Sequence, residues 1–328
     1  MRAIVIPRFG EADVLEVWEV AVSQPGPGQV TIDVAFAGVN YAEVLFRRGV
    51  VADLSLPFVP GIEVSGHIRA IGEGVTGLRV GQPVAALTAV HGGGYAEVVA
   101  VPMKQVFPLD SLGGSIDLAM FAASPSNVTT AYLVLSTVAH LAAGESVLVH
   151  AAAGGVGSVL GQMARSLGAG TVIGVVGSPE KVAPARALGY DHVLLRNQYV
   201  EAVREITAGE GVDIIVDQVG GPVRNESLDL LRPLGRHVVM SNASNEEDVA
   251  VSANILWFTN RAVLGFNLQA LTIHAPDQVA IAAHHALERV ARGEVRVDVT
   301  DVLPLEQAAE AHRRIEQRKT IGKLVLRV

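Results

Sequence analysis

One segment constrains this chain more than any other: Ser146-Val147-Leu148-Val149-His150-Ala151-Ala152-Ala153-Gly154-Gly155-Val156-Gly157. A short apolar run passes straight into Ala-x-Gly-x-x-Gly and on into a helical stretch, 158–167. That order leaves the first N–H groups of the helix without an intrahelical partner and aims them at an anion. Gly154 lets the backbone approach a pyrophosphate, and Gly157 lets the helix pack on the strand; Gly155 and Val156 complete the turn. Any tight strand-to-helix turn can use glycine, so the flanking pattern decides. Apolar runs at 171–176, 192–195, 212–216 and 236–240 alternate with helical stretches at 179–188, 199–207 and 223–231. Strands apolar on both faces, alternating with helices, form a parallel sheet covered on both sides. The predicted class is α/β, with a Rossmann doubly wound parallel sheet that binds a dinucleotide.

The first third reads differently. Apolar runs at 30–35, 64–70, 83–87 and 96–100 are separated by turn chemistry such as Pro25-Gly26-Pro27-Gly28 and Gly92-Gly93-Gly94, without a β-α-β rhythm. After about residue 260 come a strand at 262–266, two helical stretches and a final strand at 323–328. The predicted organisation is a β-rich domain of residues 1–123, completed by 261–328, around a dinucleotide-binding domain of 124–260.

Composition removes several alternatives. The 33 acidic residues outnumber the 25 basic ones, for a net charge of −8, which excludes an extended nucleic-acid footprint. The chain has no cysteine, hence no disulfide, thiolate nucleophile or thiolate-bound metal. Residues 118–144 carry no Asp, Glu, Lys or Arg, but Ser124, Pro125, Ser126, Asn127, Thr129 and Thr130 interrupt them. The uninterrupted apolar run is too short for a bilayer, so a buried helix is expected, with a helical stretch over 129–143. The start reads as a strand rather than a secretion signal, and the expectation is a soluble, cytoplasmic protein that does not engage a membrane.

The choice of dinucleotide depends on the end of the second strand, Val175-Val176-Gly177-Ser178-Pro179-Glu180-Lys181. An NAD enzyme usually holds the ribose hydroxyls with an acidic residue there. This turn lacks one, and Glu180 begins a helix beside Lys181. A hydroxyl and a cation suit a 2′-phosphate; the alternative for Lys181 is a solvated helix face.

These features together resemble the quinone oxidoreductases (zeta-crystallin-like) of the medium-chain dehydrogenase/reductase superfamily, over essentially the whole chain. The resemblance is carried by Gly38-Val39-Asn40-Tyr41-Ala42-Glu43, Arg47, Gly49, Pro60-Gly61-Ile62-Glu63-Val64-Ser65-Gly66 and Gly93-Gly94-Tyr95-Ala96-Glu97. It continues through Thr130-Ala131-Tyr132, the glycine loop, Asp217-Gln218-Val219-Gly220-Gly221 and Ile321-Gly322-Lys323. It implies a GroES-like substrate domain, NADPH in the interdomain cleft, and a homodimer. The family's 2′-phosphate residues fall on Ser178, Lys181 and Arg196, where Arg replaces the usual Tyr and offers an always-charged fork. Thr130, Asn242 and Phe266 fall on positions that line the nicotinamide or its ribose.

The zinc alcohol dehydrogenases of the same superfamily carry Cys-His-x-Asp where this chain has Asn40-Tyr41-Ala42-Glu43, and Gly-His-Glu where it has Gly61-Ile62-Glu63. Asn40 and Ile62 are not zinc ligands. Without a metal to stabilise an alkoxide, the hydride acceptor must be activated by its own conjugation, so a quinone is expected as substrate. The alternative is an enoyl or 2-alkenal reductase acting on α,β-unsaturated carbonyls or thioesters. A third reading, of another class, is a non-catalytic crystallin-like or RNA-binding role. Tyr41 is the candidate hydrogen-bond donor, unless it stacks under the nicotinamide; Asn40 beside it is a cofactor or substrate contact.

Overall fold

The computed structural model describes residues 1–51, 54–113, 115–317 and 320–328. The chain packs as two units: Met1–Thr129 with Leu268–Gly293 and Val297–Val328, and Thr130–Asn267 with Glu294–Arg296. The fold is the expected α/β combination of a Rossmann sheet with a β-rich GroES-like domain.

The first unit begins with β1 (Arg2–Val5) and β2 (Glu16–Glu19), an antiparallel pair. The long β3 (Gln29–Val39) leads into α1 (Tyr41–Arg48). Asn40 caps that helix in an extended conformation, and Gly49 ends it with φ 70°, a left-handed value that costs glycine nothing. Then follow β4 (Glu63–Ile71), β5 (Pro83–Leu87), β6 (Val98–Pro102), β7 (Val106–Pro108), α2 (Leu118–Ala122) and α3 (Pro125–Tyr132). Alternate residues of β3, among them Val30, Ile32 and Val34, pack with Val64, Ile68 and Val84 in the core.

The sequence suggested one helix over 129–143. The structure instead starts α3 at Pro125, where the missing N–H is harmless, and continues it as a π-helical segment, Leu133–Val138. Ser136 Oγ donates to Tyr132 O at 2.7 Å, and the wider ladder ends at His140, with φ 49°. The charge-free stretch is thus broken into short pieces. No helix among the described residues is long and apolar enough to cross a membrane.

The second unit alternates β8 (Ser146–Val149), α4 (Gly155–Ser166), β9 (Thr171–Val176), α5 (Val182–Arg186), β10 (His192–Leu195), α6 (Tyr199–Ile206), β11 (Val212–Asp217), α7 (Val223–Asp229), β12 (Leu231–Val239), α8 (Ala253–Thr259) and β13 (Ala262–Gly265). All six strands are parallel, in the order β10-β9-β8-β11-β12-β13. The order reverses between β8 and β11, the switch point beside which such sheets bind ligands. Because β13 continues this sheet, the unit reaches Asn267, beyond the expected 260.

The chain then returns through α9 (Leu268–His274), α10 (Pro276–Ala291), β14 (Val299–Pro304), α11 (Ala308–Glu316) and β15 (Lys323–Arg327). There are three helices rather than two, since Pro276 separates α9 from α10. β15 pairs antiparallel with β3, giving the order β14-β15-β3-β4-β5-β7, with β6 also on β3. This return carries Lys323 to the end of β3.

Candidate active site

At the carboxyl end of β8 the chain turns through Ala151, with φ 48°, into α4, whose N-cap is Gly154. A Cβ on Gly157 would lie 2.3 Å from Ala151 O, so only glycine lets the helix sit this close to the turn. Tyr190 OH donates to Gly157 O at 2.5 Å and fixes that contact from behind. Gly154, Gly155 and Val156 remain partly exposed. A Cβ on Gly154 would be 3.2 Å from Ala151 O, so its bareness serves an incoming group more than internal packing. This cradle fits a pyrophosphate held by helix N–H groups.

Ser178, Lys181 and Arg196 meet at the end of β9. Lys181 N donates to Ser178 O at 3.2 Å, and Arg196 N to Val176 O at 2.9 Å. The Arg196 guanidinium lies over Gly177, where an added Cβ would be 3.8 Å from it. One neighbour escaped the sequence reading. Glu180, set aside there as a helix start, turns its carboxylate back and accepts from Ser178 Oγ. That hydrogen bond holds the exposed Glu180 carboxyl below its ordinary range. The turn therefore offers two cations and a hydroxyl, with an acid competing for the hydroxyl.

Asn242 and Phe266 line one open hollow of about 630 Å³ at the ends of β12 and β13, together with Arg224, Ser241, Asp248 and Asn267. Beneath it Asp217 is fully buried and accepts from Val219 N at 2.7 Å and Gly220 N at 3.0 Å. Burial opposes its ionisation, but His237 Nε2 at 3.6 Å and the Gly220 N–H outweigh it and hold the carboxyl well below the usual range. Arg224 joins Asp217 to the rim through Ser241 O at 3.0 Å. His150 is buried; burial pushes it down to about 4, and its Nε2 meets Ser227 Oγ at 2.8 Å. It is a core histidine. Thr130 is buried in α3.

In the first unit, Asn40 and Tyr41 stand where β3 gives way to α1, both partly exposed. Behind them lies a dense polar cluster. Asn40 Nδ2 donates to Glu63 Oε1 at 2.9 Å, and Lys323 Nζ donates to Asn40 Oδ1 at 2.6 Å. The same ammonium reaches Glu63 Oε1 at 2.7 Å and Val39 O at 3.1 Å. Glu63 Oε2 accepts from Ser126 N at 2.8 Å. Glu43, fully buried, accepts from Asn40 N and Ile62 N, each at 3.0 Å. One carboxylate thus clamps the backbone of both positions where zinc relatives carry ligands. Burial raises Glu43 to about 7, against the pull of Lys323.

These residues do not fit zinc. Ile62 is apolar and buried, the Asn40 amide oxygen is held by the Lys323 ammonium, and Glu63 has Oε1 on that ammonium and Oε2 on the Ser126 N–H. Among the described residues no group of three His, Cys, Asp or Glu side chains is arranged to hold a metal. Glu43, Glu63 and Lys323 stand inside recognisable sequence motifs, but nothing in their spacing shows that they meet.

Against known proteins, the alcohol dehydrogenase GroES-like domain family matches residues 26–111, and the zinc-binding dehydrogenase family matches 155–283. The chain is 32% identical to rat synaptic vesicle membrane protein VAT-1 homolog, over 99% of this chain and 84% of that protein. It is also 32% identical to 2-haloacrylate reductase of a Burkholderia species, over 99% of this chain and 98% of that protein. Escherichia coli quinone oxidoreductase complexed with NADPH superposes with a TM-score of 0.90 at 28% identity, covering 100% of both chains.

Proposed function

This chain belongs to the quinone oxidoreductase (zeta-crystallin-like) family of the medium-chain dehydrogenase/reductase superfamily and is an oxidoreductase, and on that premise we propose that it reduces quinones with NADPH and without a metal. The observation that carries the reading is the Lys323–Glu63 pair at 2.7 Å, an internal cation built into the region where zinc relatives bind metal. A protein without a Lewis acid is suited to acceptors whose conjugation already spreads incoming charge.

NADPH when bound supplies hydride. The α4 N-terminus with Gly154, Gly155, Val156 and Gly157 holds the pyrophosphate, and Ser178, Lys181 and Arg196 hold the 2′-phosphate. Thr130, Asn242 and Phe266 line the nicotinamide side. Asn40 and Tyr41 face the acceptor: one hydrogen-bond donor steadies the oxygen that gains charge, and one proton completes the reduction. The relative crystallised with NADPH supports the cofactor choice.

A second reading, reduction of conjugated alkenes in enals, enones or enoyl thioesters, is favoured by the relative named 2-haloacrylate reductase, whose name describes an alkene conjugated to a carboxylate. NADPH oxidation against quinones, enals, enones and enoyl thioesters separates the two. The expected result is quinone turnover that survives dialysis against a strong chelator, with saturated ketones inert. Activity that is lost to the chelator and restored by stoichiometric zinc overturns the metal-free reading. NADPH binding without turnover of any acceptor would favour a non-catalytic role. A cytoplasmic homodimer completes the proposal.

A further inference from the structure

The orientation of the Asn40 amide is chemically determined. Lys323 Nζ can only donate and the Glu63 carboxylate can only accept, so Oδ1 must face the former and Nδ2 the latter. The flipped amide would set donor against donor and acceptor against acceptor. The bond from Nδ2 to Glu63 leaves Asn40 one further N–H on its nitrogen, at a partly exposed position. Lys323 is only 3% exposed and Glu63 0%, so water does little to damp the ammonium's field on that amide. A cation bonded to the amide oxygen draws electron density from nitrogen and makes the remaining N–H a stronger donor.

We propose that Lys323 is a positioning residue that locks and polarises the Asn40 amide, so that its free N–H donates to the acceptor oxygen that gains charge during hydride transfer. The inference rests on the reductase reading above and adds to it a residue with no contact of its own to the acceptor. A charge held one residue behind the site takes over part of what a metal does at the surface of it. Glu43 belongs to the same device, because it fixes the backbone from which Asn40 projects.

The test uses Asn40→Asp, Lys323→Met and Glu63→Gln/Lys323→Met in the full chain. Lys323→Met alone strands a buried carboxylate and can fail to fold; the double variant removes both charges. Asn40→Asp keeps the shape of residue 40 and loses the N–H, while setting an oxygen against Glu63 Oε1, which the thermal midpoint reads. Thermal midpoint and NADPH dissociation constant check the fold, and single-turnover hydride transfer reads the chemistry. Expected are a drop in the rate of about ten-fold or more for Asn40→Asp and for the double variant, with the NADPH constant changed less than about three-fold. A folded double variant with the wild-type rate, or an Asn40→Asp variant as fast as wild type, overturns the proposal. A readout independent of activity is the Asn40 side-chain amide resonance in 15N-asparagine-labelled protein. Two well-separated N–H signals are expected, moving together in the double variant; averaged, solvent-like signals in the wild type overturn the proposal. Should the wild type reduce no acceptor at all, the reductase reading fails, and the resonance still decides whether Lys323 holds Asn40.

Discussion

At the scale of single residues, the proposed NADPH reading makes the turn after β9 set cofactor preference by competition. On that reading Arg196 and Lys181 would attract a 2′-phosphate, and a charge-assisted hydrogen bond contributes about 1.5–3 kcal/mol. Arg196→Ala is therefore expected to raise the Michaelis constant for NADPH about ten-fold or more and leave NADH nearly unchanged. Glu180 works against them, since its carboxylate occupies Ser178 Oγ. Glu180→Gln should lower the NADPH constant several-fold, and the gain should shrink with added salt; an unchanged NADPH to NADH ratio in both variants rules out this turn as the selector. Glu43 makes a different prediction. Its folded-state value of about 7 lies above the ordinary 4.5, so the folded protein binds the extra proton between those values. Its contribution to stability is full at low pH and is lost as pH rises through about 7. Stability measured from about pH 4.5 to 7.5 should lose this contribution in the wild type and lack that loss in Glu43→Gln. Here the sequence was legible only in part. Ser178 and Lys181 lie in the turn that closes β9 and could be read from that strand end, whereas Arg196 follows β10 and was reached only through the family resemblance. The reach of Glu180 depends on a 3₁₀ turn at Pro179–Lys181, which spacing does not show. Asn40 and Lys323 are 283 positions apart, so their contact needs β3 and β15 to pair.

At the scale of elements, what could be read followed from how strongly local pattern restricts the chain. β5, β9 and β10 have the predicted limits because each is a short apolar run closed by turn residues. The helix expected over 129–143 became α3 plus a π-helical segment, because a charge-free apolar stretch carries no period that tells one helical ladder from the other. The α4 turn permits a comparison of two glycines with different duties. Gly157→Ala drives a methyl to 2.3 Å from Ala151 O, a backbone atom that cannot swing aside. Overpacking of this kind costs about 1–3 kcal/mol, to be read by chemical denaturation. Gly154→Ala meets Ala151 O only at 3.2 Å, with a backbone φ of −78° that alanine accepts. Its stability should change by less than about 1 kcal/mol, while on the proposed cofactor reading its NADPH dissociation constant should rise, because the added methyl crowds the turn that would receive the pyrophosphate. Equal stability losses in the two variants would mean that both glycines serve packing alone.

At the scale of the whole molecule, the Rossmann sheet ends at β13, which among the described residues has a strand neighbour on one side only. Phe266 N donates to Val239 O, so by the two-residue period Leu264 also faces β12 while Val263 and Gly265 turn their N–H and C=O groups to the open edge. Such an edge is a template for another strand unless it is covered. Immediately before it, α8 exposes Ile255, Trp257 and Phe258, the last two at 71% and 73%, with their rings stacked 4.6 Å apart. Stacked aromatics this exposed beside a free strand edge suit a self-complementary contact, in which β13 pairs with its twofold mate and α8 covers the seam. The expectation is a homodimer of twice the 34.3 kDa chain mass by light scattering at micromolar concentration. Val263→Pro removes an edge-facing N–H while sparing the ladder to β12, and it should shift the protein towards monomer. Trp257→Glu/Phe258→Glu should do the same through the helix, with the far-ultraviolet circular dichroism unchanged. A wild-type monomer at that concentration refutes the pairing. A dimer untouched by either variant leaves the stoichiometry standing and moves the interface away from β13.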